Sequence, residues 1–293
     1  MRSKRWHHFR IRTLLRLISV ARFRANYFLQ KRGFGAVFRV IPTKILSTEE
    51  LGLPEQVQQF ARLNRGLVLV TGSTGSGKST TLAAIIDFIN RNRRDHILTI
   101  EDPIEFVHES KGCLINQREI EAHTESFAAA LRAALREDPD VILVGEMRDL
   151  ETIELAITAA ETGHLVFGTL HTSSAAKTVD RIVDAFPSGQ QAQIRTMLSG
   201  SLKGVIAQQL LKRSDKPGRI AALEILFVNA AIANLIREGK TFQIPSVIQM
   251  SKGEGMQLLD QSIMELLMTK VISPEEAYVK ANDKKTFERF MRT

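Results

Sequence analysis

The sequence contains one cysteine, Cys113, among 293 residues. A single thiol excludes a disulfide framework within the chain and a zinc site built from several cysteines, and it fits a protein of a reducing cytosol. No run reaches the roughly 18 uninterrupted apolar residues that a membrane-spanning helix needs. Since 44% of the residues are hydrophobic, the chain has enough apolar side chains for one or two buried cores.

Acidic residues are absent from residues 1–48, which carry twelve Lys or Arg. Taking these from the 40 basic residues of the chain leaves 28 basic against 32 acidic residues, a net charge of −4 for the remainder. The overall charge of +8 therefore reflects one end of the sequence. Because the remainder contains no strand with interleaved basic and aromatic residues, we expect no nucleic-acid partner, and a motor that acts on nucleic acid is the weakest reading.

A phosphate-binding loop is predicted at residues 72–80, where GSTGSGKST has the spacing G-x-x-x-x-G-K-S between a strand-like run and a helical pattern. Glycines let backbone N–H groups turn toward an anion, and the first turn of the helix adds further free N–H groups. Lys78 would contact the β- and γ-phosphates of ATP, and the Ser79 hydroxyl would bind Mg²⁺. The predicted ATP-binding residues are Gly72, Ser73, Thr74, Gly75, Ser76, Gly77, Lys78, Ser79 and Thr80.

Two carboxylates follow predicted strands, at the end where ligands bind in an open α/β sheet. Glu101 follows residues 96–100, and we expect it to place Mg²⁺ or water, although an acidic loop that only faces solvent has the same pattern. Glu146 follows the apolar residues 141–144 and Gly145. A glutamate at this position can orient and deprotonate the attacking water, a contribution of roughly 10²–10⁴-fold, so Glu146 is the predicted general base.

Histidine and arginine residues supply the other candidates. His171 follows the strand predicted over residues 165–169, where it can sense the γ-phosphate or contact a neighbouring chain; a structural role is the alternative. Cations that meet the charge growing on the γ-phosphate assist phosphoryl transfer. The candidate arginines are Arg22, Arg24, Arg39, Arg136 and Arg148, each of which can instead pair with a surface carboxylate.

The order of elements predicts an α/β fold with a mostly parallel sheet. Short apolar runs alternate with helical segments between residues 65 and 185, which is typical of strands covered by helices on both faces. Residues 20–42 read as a β-hairpin. Beyond residue 187 we expect mainly helices, over residues 190–209, 230–238, 256–270 and 273–281, with a strand or hairpin near 219–228.

The basic residues 1–19 fit three readings. Apolar residues at helical spacing among arginines suit an amphipathic segment at a membrane surface or a targeting segment. The same pattern suits an ordinary helix packed on the body of the protein. The third reading is non-native sequence joined to a shortened domain.

Four separated motifs resemble those of the motor ATPases of type IV pili, in particular the PilT family of retraction ATPases. They are GSTGSGKSTTLAA, ILTIEDPIEFVHESKGCLINQRE, LREDPDVILVGEMRDLETIELAITAAETGHLVFGTLHT and AIANLIREGK. The resemblance makes residues 101–105 the acidic box, Gly145-Glu146 the atypical end of the second nucleotide motif, and residues 164–171 the histidine box. It implies a RecA-like P-loop core that hydrolyses ATP at the subunit interfaces of a homohexamer.

The resemblance also implies partners and a location. Such a motor is cytoplasmic and peripheral at the inner face of the cytoplasmic membrane, where closure of its domains moves the inner-membrane pilus platform protein. A paralogous retraction ATPase is a further candidate partner. Assembly ATPases of the superfamily usually carry a four-cysteine zinc insert, so the single cysteine favours the retraction branch, although Ala233 in AIANLIRE replaces an arginine of the retraction pattern.

The resemblance divides the chain into five parts. They are a basic segment foreign to the family (1–19), the remnant of an N-terminal PAS-like domain (20–45), a linker and helix (46–64), the RecA-like core (65–228) and a helical C-terminal region (229–293). In the family the PAS-like domain supplies arginines to the next subunit's nucleotide. Because most of it has no counterpart here, the alternative function is a truncated, weakly active or inactive nucleotide-binding subunit of such a ring.

Overall fold

The computed structural model describes residues 11–17, 21–41 and 43–291, and its chain forms two compact units. The smaller unit lies within residues 1–45 and includes Glu105–Val107, and the larger unit comprises the described parts of Leu46–Ile104 and His108–Thr293. None of the helices in these ranges is both long and apolar enough to cross a membrane.

The smaller unit contains an antiparallel sheet of β1 (Ile11–Leu17), β2 (Ala21–Gln30) and β3 (Gly33–Ile41), in the order β1-β2-β3. The hairpin predicted for residues 20–42 is confirmed, with its turn at Lys31 and Arg32. The helical reading of residues 1–19 is wrong over Ile11–Leu17, since this segment pairs with β2 along its whole length. The sequence IRTLLRL fits both periods because it is short, and the neighbouring strand decides between them.

The larger unit is built on a seven-stranded sheet in the order β10-β9-β4-β8-β7-β5-β6. All neighbours are parallel except the hairpin of β9 and β10, so the predicted mostly parallel sheet is confirmed. Every residue of the central strands β4, β7 and β8 is buried, as their runs of Val, Leu and Ile require. The strands are β4 (Gly66–Thr71), β5 (His96–Glu101), β6 (Leu114–Glu119), β7 (Val141–Val144), β8 (Leu165–Leu170), β9 (Leu202–Lys212) and β10 (Arg219–Phe227).

Helices cover both faces of this sheet. One core packs α1 and α2 on one face, and a larger core packs α3 to α8 on the other. A third core, which includes Leu211 of β9, holds the C-terminal helices α9 to α11. The helices are α1 (Glu55–Ala61), α2 (Lys78–Asn92), α3 (Phe127–Ala134), α4 (Leu150–Glu161), α5 (Ala175–Asp184), α6 (Ser188–Ser201), α7 (Ala230–Glu238), α8 (Ile244–Met250), α9 (Leu259–Met268), α10 (Pro274–Lys280) and α11 (Lys284–Met291).

The helix predicted over residues 190–209 is wrong in its second half. Helix α6 ends at Ser201, and β9 begins at Leu202 and runs between β4 and β10. Within β9, close packing requires a glycine at position 204, because a Cβ there would lie 2.1 Å from the Phe60 ring. A short apolar run cannot by itself distinguish a buried strand from a buried helix, and here tertiary contacts decide.

The topology brings one edge of the sheet together as a candidate site. The carboxyl ends of β4, β5, β7 and β8 lie at the same edge because these strands are parallel. The last residues of β9 also lie there, since β9 runs parallel to β4. The antiparallel β10 begins at this edge with Arg219, which pairs with Lys212.

Candidate active site

The predicted phosphate-binding loop joins β4 to α2 and depends on three glycines with positive φ. Gly72, Gly75 and Gly77 have φ values of 144°, 79° and 90°, a region that other residues rarely adopt. A Cβ on Gly72 would also lie 2.4 Å from the carbonyl oxygen of Gln208 on β9. Helix α2 begins directly after Gly77, so its free N–H groups lie beside the loop. The loop therefore has the backbone geometry that binds phosphate.

Lys78 lies at the first position of α2 with its side chain folded over the loop. Its Nζ donates hydrogen bonds to the carbonyl oxygens of Gly72, at 2.9 Å, and of Ser73, at 3.3 Å. Ser79 follows and is exposed at the start of the helix. Both side chains are thus positioned at the phosphate-binding end of α2, as the motif predicts.

Gln208 is a site residue that sequence reasoning missed. Its side chain is buried, its Nε2 donates to the Ser76 carbonyl oxygen at 2.6 Å, and its Oε1 accepts from the Thr81 hydroxyl at 2.9 Å. One amide thus connects the loop to the first turn of α2. The sequence signal for this role is a pair of glutamines within an apolar run. Because the sequence predicts a helix there, it does not place Gln208 next to the loop.

Glu146 lies just beyond β7 and is held by two basic side chains. Its Oε1 is 2.9 Å from His171 Nε2, and its Oε2 accepts a hydrogen bond from Arg148 at 2.6 Å. Burial raises the pKa of Glu146, but the hydrogen bond and charge of Arg148, together with those of His171, outweigh burial and hold this pKa below its usual value. The structure therefore brings three predicted residues into one cluster with an ionised carboxylate.

Glu101 ends β5, the strand next to β7. Its Oε1 accepts hydrogen bonds from the Thr99 hydroxyl at 2.7 Å and from Gln117 Nε2 at 3.2 Å. Gly145 permits this close arrangement, because a Cβ there would lie 3.0 Å from the Ile100 carbonyl oxygen and 3.2 Å from Glu101 Cα. A glycine before Glu146 therefore has a packing reason, and the two carboxylates follow adjacent strands.

Helix caps and backbone bonds fix the two loops that carry Glu146 and His171. Asp149 caps α4 by accepting a hydrogen bond from the Thr152 N–H at 2.8 Å, and Ser174 caps α5. The Thr169 hydroxyl donates to the Gly145 carbonyl oxygen at 2.6 Å and joins the ends of β7 and β8. Each loop is only a few residues long, and these contacts hold the cluster in place.

None of the other basic candidates has a described contact with Glu146. Arg136 is exposed between α3 and the amino end of β7, opposite the end that carries Glu146. Arg24 pairs with Arg39 in the register of the smaller unit, and Arg22 lies opposite Ile41. Of the five arginines, Arg148 is therefore the one that the described contacts place in the cluster. His164, at the start of the histidine box, contacts the Ala159 carbonyl oxygen at 3.0 Å and has a structural role at the other end of β8.

The donor set limits how a metal ion can bind. In the described ranges, no group of three or more His, Cys, Asp or Glu side chains is arranged to hold a metal. Ser79 and Glu101 supply oxygen atoms, which suit Mg²⁺, but two such ligands are too few for a site made by protein alone. Ser79 and Glu101 would therefore supply only part of the ligands of a magnesium ion, and nucleotide phosphates and water would supply the rest.

A pocket of about 340 Å³ opens beside the phosphate-binding loop. Its walls come from the loop, from the end of β9 and from residues that follow β8 and begin β10, together with the last residue of α10. The lining comprises residues 72–76, Ser173, residues 208–210, Arg219 and Lys280. The pocket thus combines the loop with side chains from distant parts of the sequence.

Comparison with known proteins agrees with this geometry. The sequence matches the family described as Type II/IV secretion system protein over residues 14–279. The Twitching motility protein of Neisseria gonorrhoeae is 62% identical over 267 residues, which are 91% of this chain and 71% of that protein. The type IV pilus retraction ATPase PilT of Pseudomonas aeruginosa is 60% identical over 268 residues, 92% of this chain and 78% of PilT.

A solved structure of a pilus motor is also similar to this chain. The pilus retraction motor PilT with bound ADP matches with a TM-score of 0.88 and 50% sequence identity, over 96% of this chain and 80% of that one. Fold and site together define the class, a nucleotide-binding P-loop ATPase with a RecA-like core. The chain belongs to the type II/IV secretion ATPase family and, within it, to the PilT family. The resemblance inferred from the four motifs is confirmed.

Proposed function

We propose that this chain hydrolyses ATP to drive retraction of a type IV pilus, and hence twitching motility, as a subunit of a homohexameric ring. The observation that carries the proposal is the joint geometry of one sheet edge. A glycine loop with Lys78 follows β4, and Glu146, with His171 beside it, follows β7 two strands away. The relatives named for twitching motility and pilus retraction share 60–62% of the aligned residues.

The proposed reaction assigns a role to each group. Residues 72–80 and Lys78 bind the triphosphate, and Glu146 accepts the proton of the attacking water. His171, through its contact with Glu146, reports the state of the nucleotide to the ring. Ser79 and Glu101 would hold Mg²⁺ or its water, and the ion would neutralise charge on the phosphates.

Steady-state ATPase measurements on Glu146→Gln test this proposal. We expect kcat to fall by about 10²–10⁴-fold, the contribution of a general base, while affinity for magnesium-ATP persists. Glu154→Gln, an exposed change on α4, is the matched control. Lys78→Ala should instead lose nucleotide affinity. A Glu146→Gln enzyme as fast as the parent would remove Glu146 from this role.

The family supports the proposed partners and location. We place the ring in the cytoplasm at the inner face of the membrane, where closure of its domains would move the inner-membrane pilus platform protein. A paralogous retraction ATPase is a second proposed partner, since PilU of Pseudomonas aeruginosa is 42% identical over 263 residues. The arginines of the smaller unit, Arg22, Arg24 and Arg39, are proposed to serve a neighbouring subunit's nucleotide.

A second candidate is a nucleotide-binding ring subunit with little turnover. The hydrogen bonds from Arg148 and His171 to both oxygens of Glu146 favour it, because a carboxylate held in this way is a weaker base. Sedimentation with a non-hydrolysable ATP analogue, combined with turnover, separates the two. A six-fold assembly with turnover supports the motor, and a monomer at all concentrations supports the second candidate.

A further inference from the structure

Two cations from outside the phosphate-binding motif line the pocket beside the loop. Arg219 is the first residue of β10, and Lys280 is the last residue of α10. They are the charged members of the lining, which contains no carboxylate. The pocket therefore combines positive charge with the phosphate-binding loop, a combination that attracts a polyanion.

These two side chains differ from the other basic residues near the site. Arg148 is paired with Glu146, and Lys78 donates to carbonyl oxygens of its own loop. Within the part of the chain that the structure describes, neither the Arg219 nor the Lys280 side chain has a hydrogen-bond or ion-pair partner. Their charge is thus available to a ligand in the pocket.

The fold holds Lys280 at this position. Strand β9 carries Gln208 beside the loop and Leu211 in the core that also buries Ala277 and Ala281 of the α10 region. At the end of β9, the Lys212 N–H donates to Glu276 Oε1 of α10 at 2.9 Å. Helix α10 is therefore attached to the same strand that supports the phosphate-binding loop, so Lys280 does not depend on a mobile loop for its placement.

We propose that Arg219 and Lys280 bind the polyphosphate of the nucleotide within the same subunit. The inference rests on the proposed nucleotide site and assigns it two ligands that the motif does not contain. It also gives the C-terminal helices a direct contact with the bound nucleotide. Since α10 lies outside the RecA-like core of the sequence, this contact would couple nucleotide occupancy to the C-terminal region.

Calorimetric titration of the full chain with magnesium-ADP tests the assignment, with pyrophosphate as a competing probe. We expect Lys280→Met and Arg219→Met each to lower the affinity for both ligands by about tenfold, because each variant loses one charge-assisted contact. Lys280→Arg should retain most of the affinity. Lys252→Met removes the same charge from an exposed residue outside the pocket and should bind like the parent.

Each of the remaining outcomes would contradict either this inference or the proposed function. Parent-like affinity in both Met variants would overturn the inference and leave the proposed function intact. A lower affinity for magnesium-ADP with an unchanged affinity for pyrophosphate would show that the two cations do not bind phosphate. A parent chain without affinity for magnesium-ADP would overturn the proposed function as well. Because neither side chain has a partner in the described structure, unfolding midpoints without nucleotide should stay equal, which excludes misfolding as the cause.

Discussion

Replacing Gln208 by Met tests whether β9 supports the phosphate-binding loop. The change keeps the length of the side chain and removes both polar atoms. Gln208 donates to the Ser76 carbonyl oxygen at 2.6 Å and accepts from the Thr81 hydroxyl at 2.9 Å, and both bonds are buried. The substitution therefore removes the bridge between the loop and α2 while it leaves the motif itself unchanged.

The expected cost follows from the two groups that lose their partner. A buried donor or acceptor without a partner costs about 1–3 kcal/mol, so the two together cost about 2–6 kcal/mol of unfolding free energy. That is a large fraction of the 5–15 kcal/mol that is typical of folded proteins. The loop would also be less ordered before binding, and we expect affinity for magnesium-ADP to fall by about tenfold, which corresponds to about 1.4 kcal/mol.

Urea unfolding followed by circular dichroism measures the first effect, and calorimetric titration measures the second. Gln191→Met is the matched control, since Gln191 Nε2 donates to the Phe186 carbonyl oxygen at 3.2 Å on α6. This control loses one glutamine hydrogen bond that does not involve the loop. It should be less destabilised than Gln208→Met and should keep the parent's ADP affinity.

A double-mutant cycle with Thr81→Val completes the test. Because the Thr81 hydroxyl bonds to Gln208, the two substitutions should not be additive, with a coupling energy of about 1 kcal/mol. Additive effects would refute the bridge. So would a Gln208→Met protein with the parent's unfolding free energy and ADP affinity.

Two further predictions concern pH. In Arg148→Met, the pKa of Glu146 should rise, because the main group that lowers this pKa is gone. The acidic limb of the pH profile of kcat should therefore move to higher pH. The control Arg213→Met, which breaks an exposed ion pair, should leave the profile unchanged. Burial lowers the pKa of His108 from 6.5 to about 4. Between these two pH values the unfolded chain therefore binds more protons than the folded chain. The free energy of unfolding should then fall by up to about 3 kcal/mol as pH drops from 6.5 to about 4. Urea unfolding at several pH values should show a smaller loss in His108→Gln, and an equal loss would contradict the assignment.

Much of the central sheet could be predicted because each strand has its own local signal. Strands β4, β7 and β8 are continuous apolar runs, and each is followed by a glycine, a helix cap or both. Parallel strands place their carboxyl ends at one edge, so Lys78, Glu146 and His171 could be assigned to a common site from the sequence alone.

The rest depends on contacts between distant parts of the chain. Strand β9 was expected to continue helix α6, since its apolar run suits either element, and only its position between β4 and β10 decides. Gln208 lies 132 residues from Ser76 in sequence, and Lys280 lies farther still. Pairing of Arg148 with Glu146 was one of several arrangements that the sequence allowed.

Two groups of contacts meet at the sheet edge, and they have different consequences. One joins the loop after β4 to Gln208 on β9 and, through Lys212 and Glu276, to α10. The other joins Gly145 to Thr169 and Glu146 to His171 across β7 and β8. Within the described residues no hydrogen bond links Glu146 to β9, although β8 borders both groups, since the Gly72 N–H donates to the Leu170 carbonyl oxygen at 3.3 Å. Substitutions along β9 and α10 should therefore act mainly on nucleotide affinity, and those around Glu146 mainly on turnover.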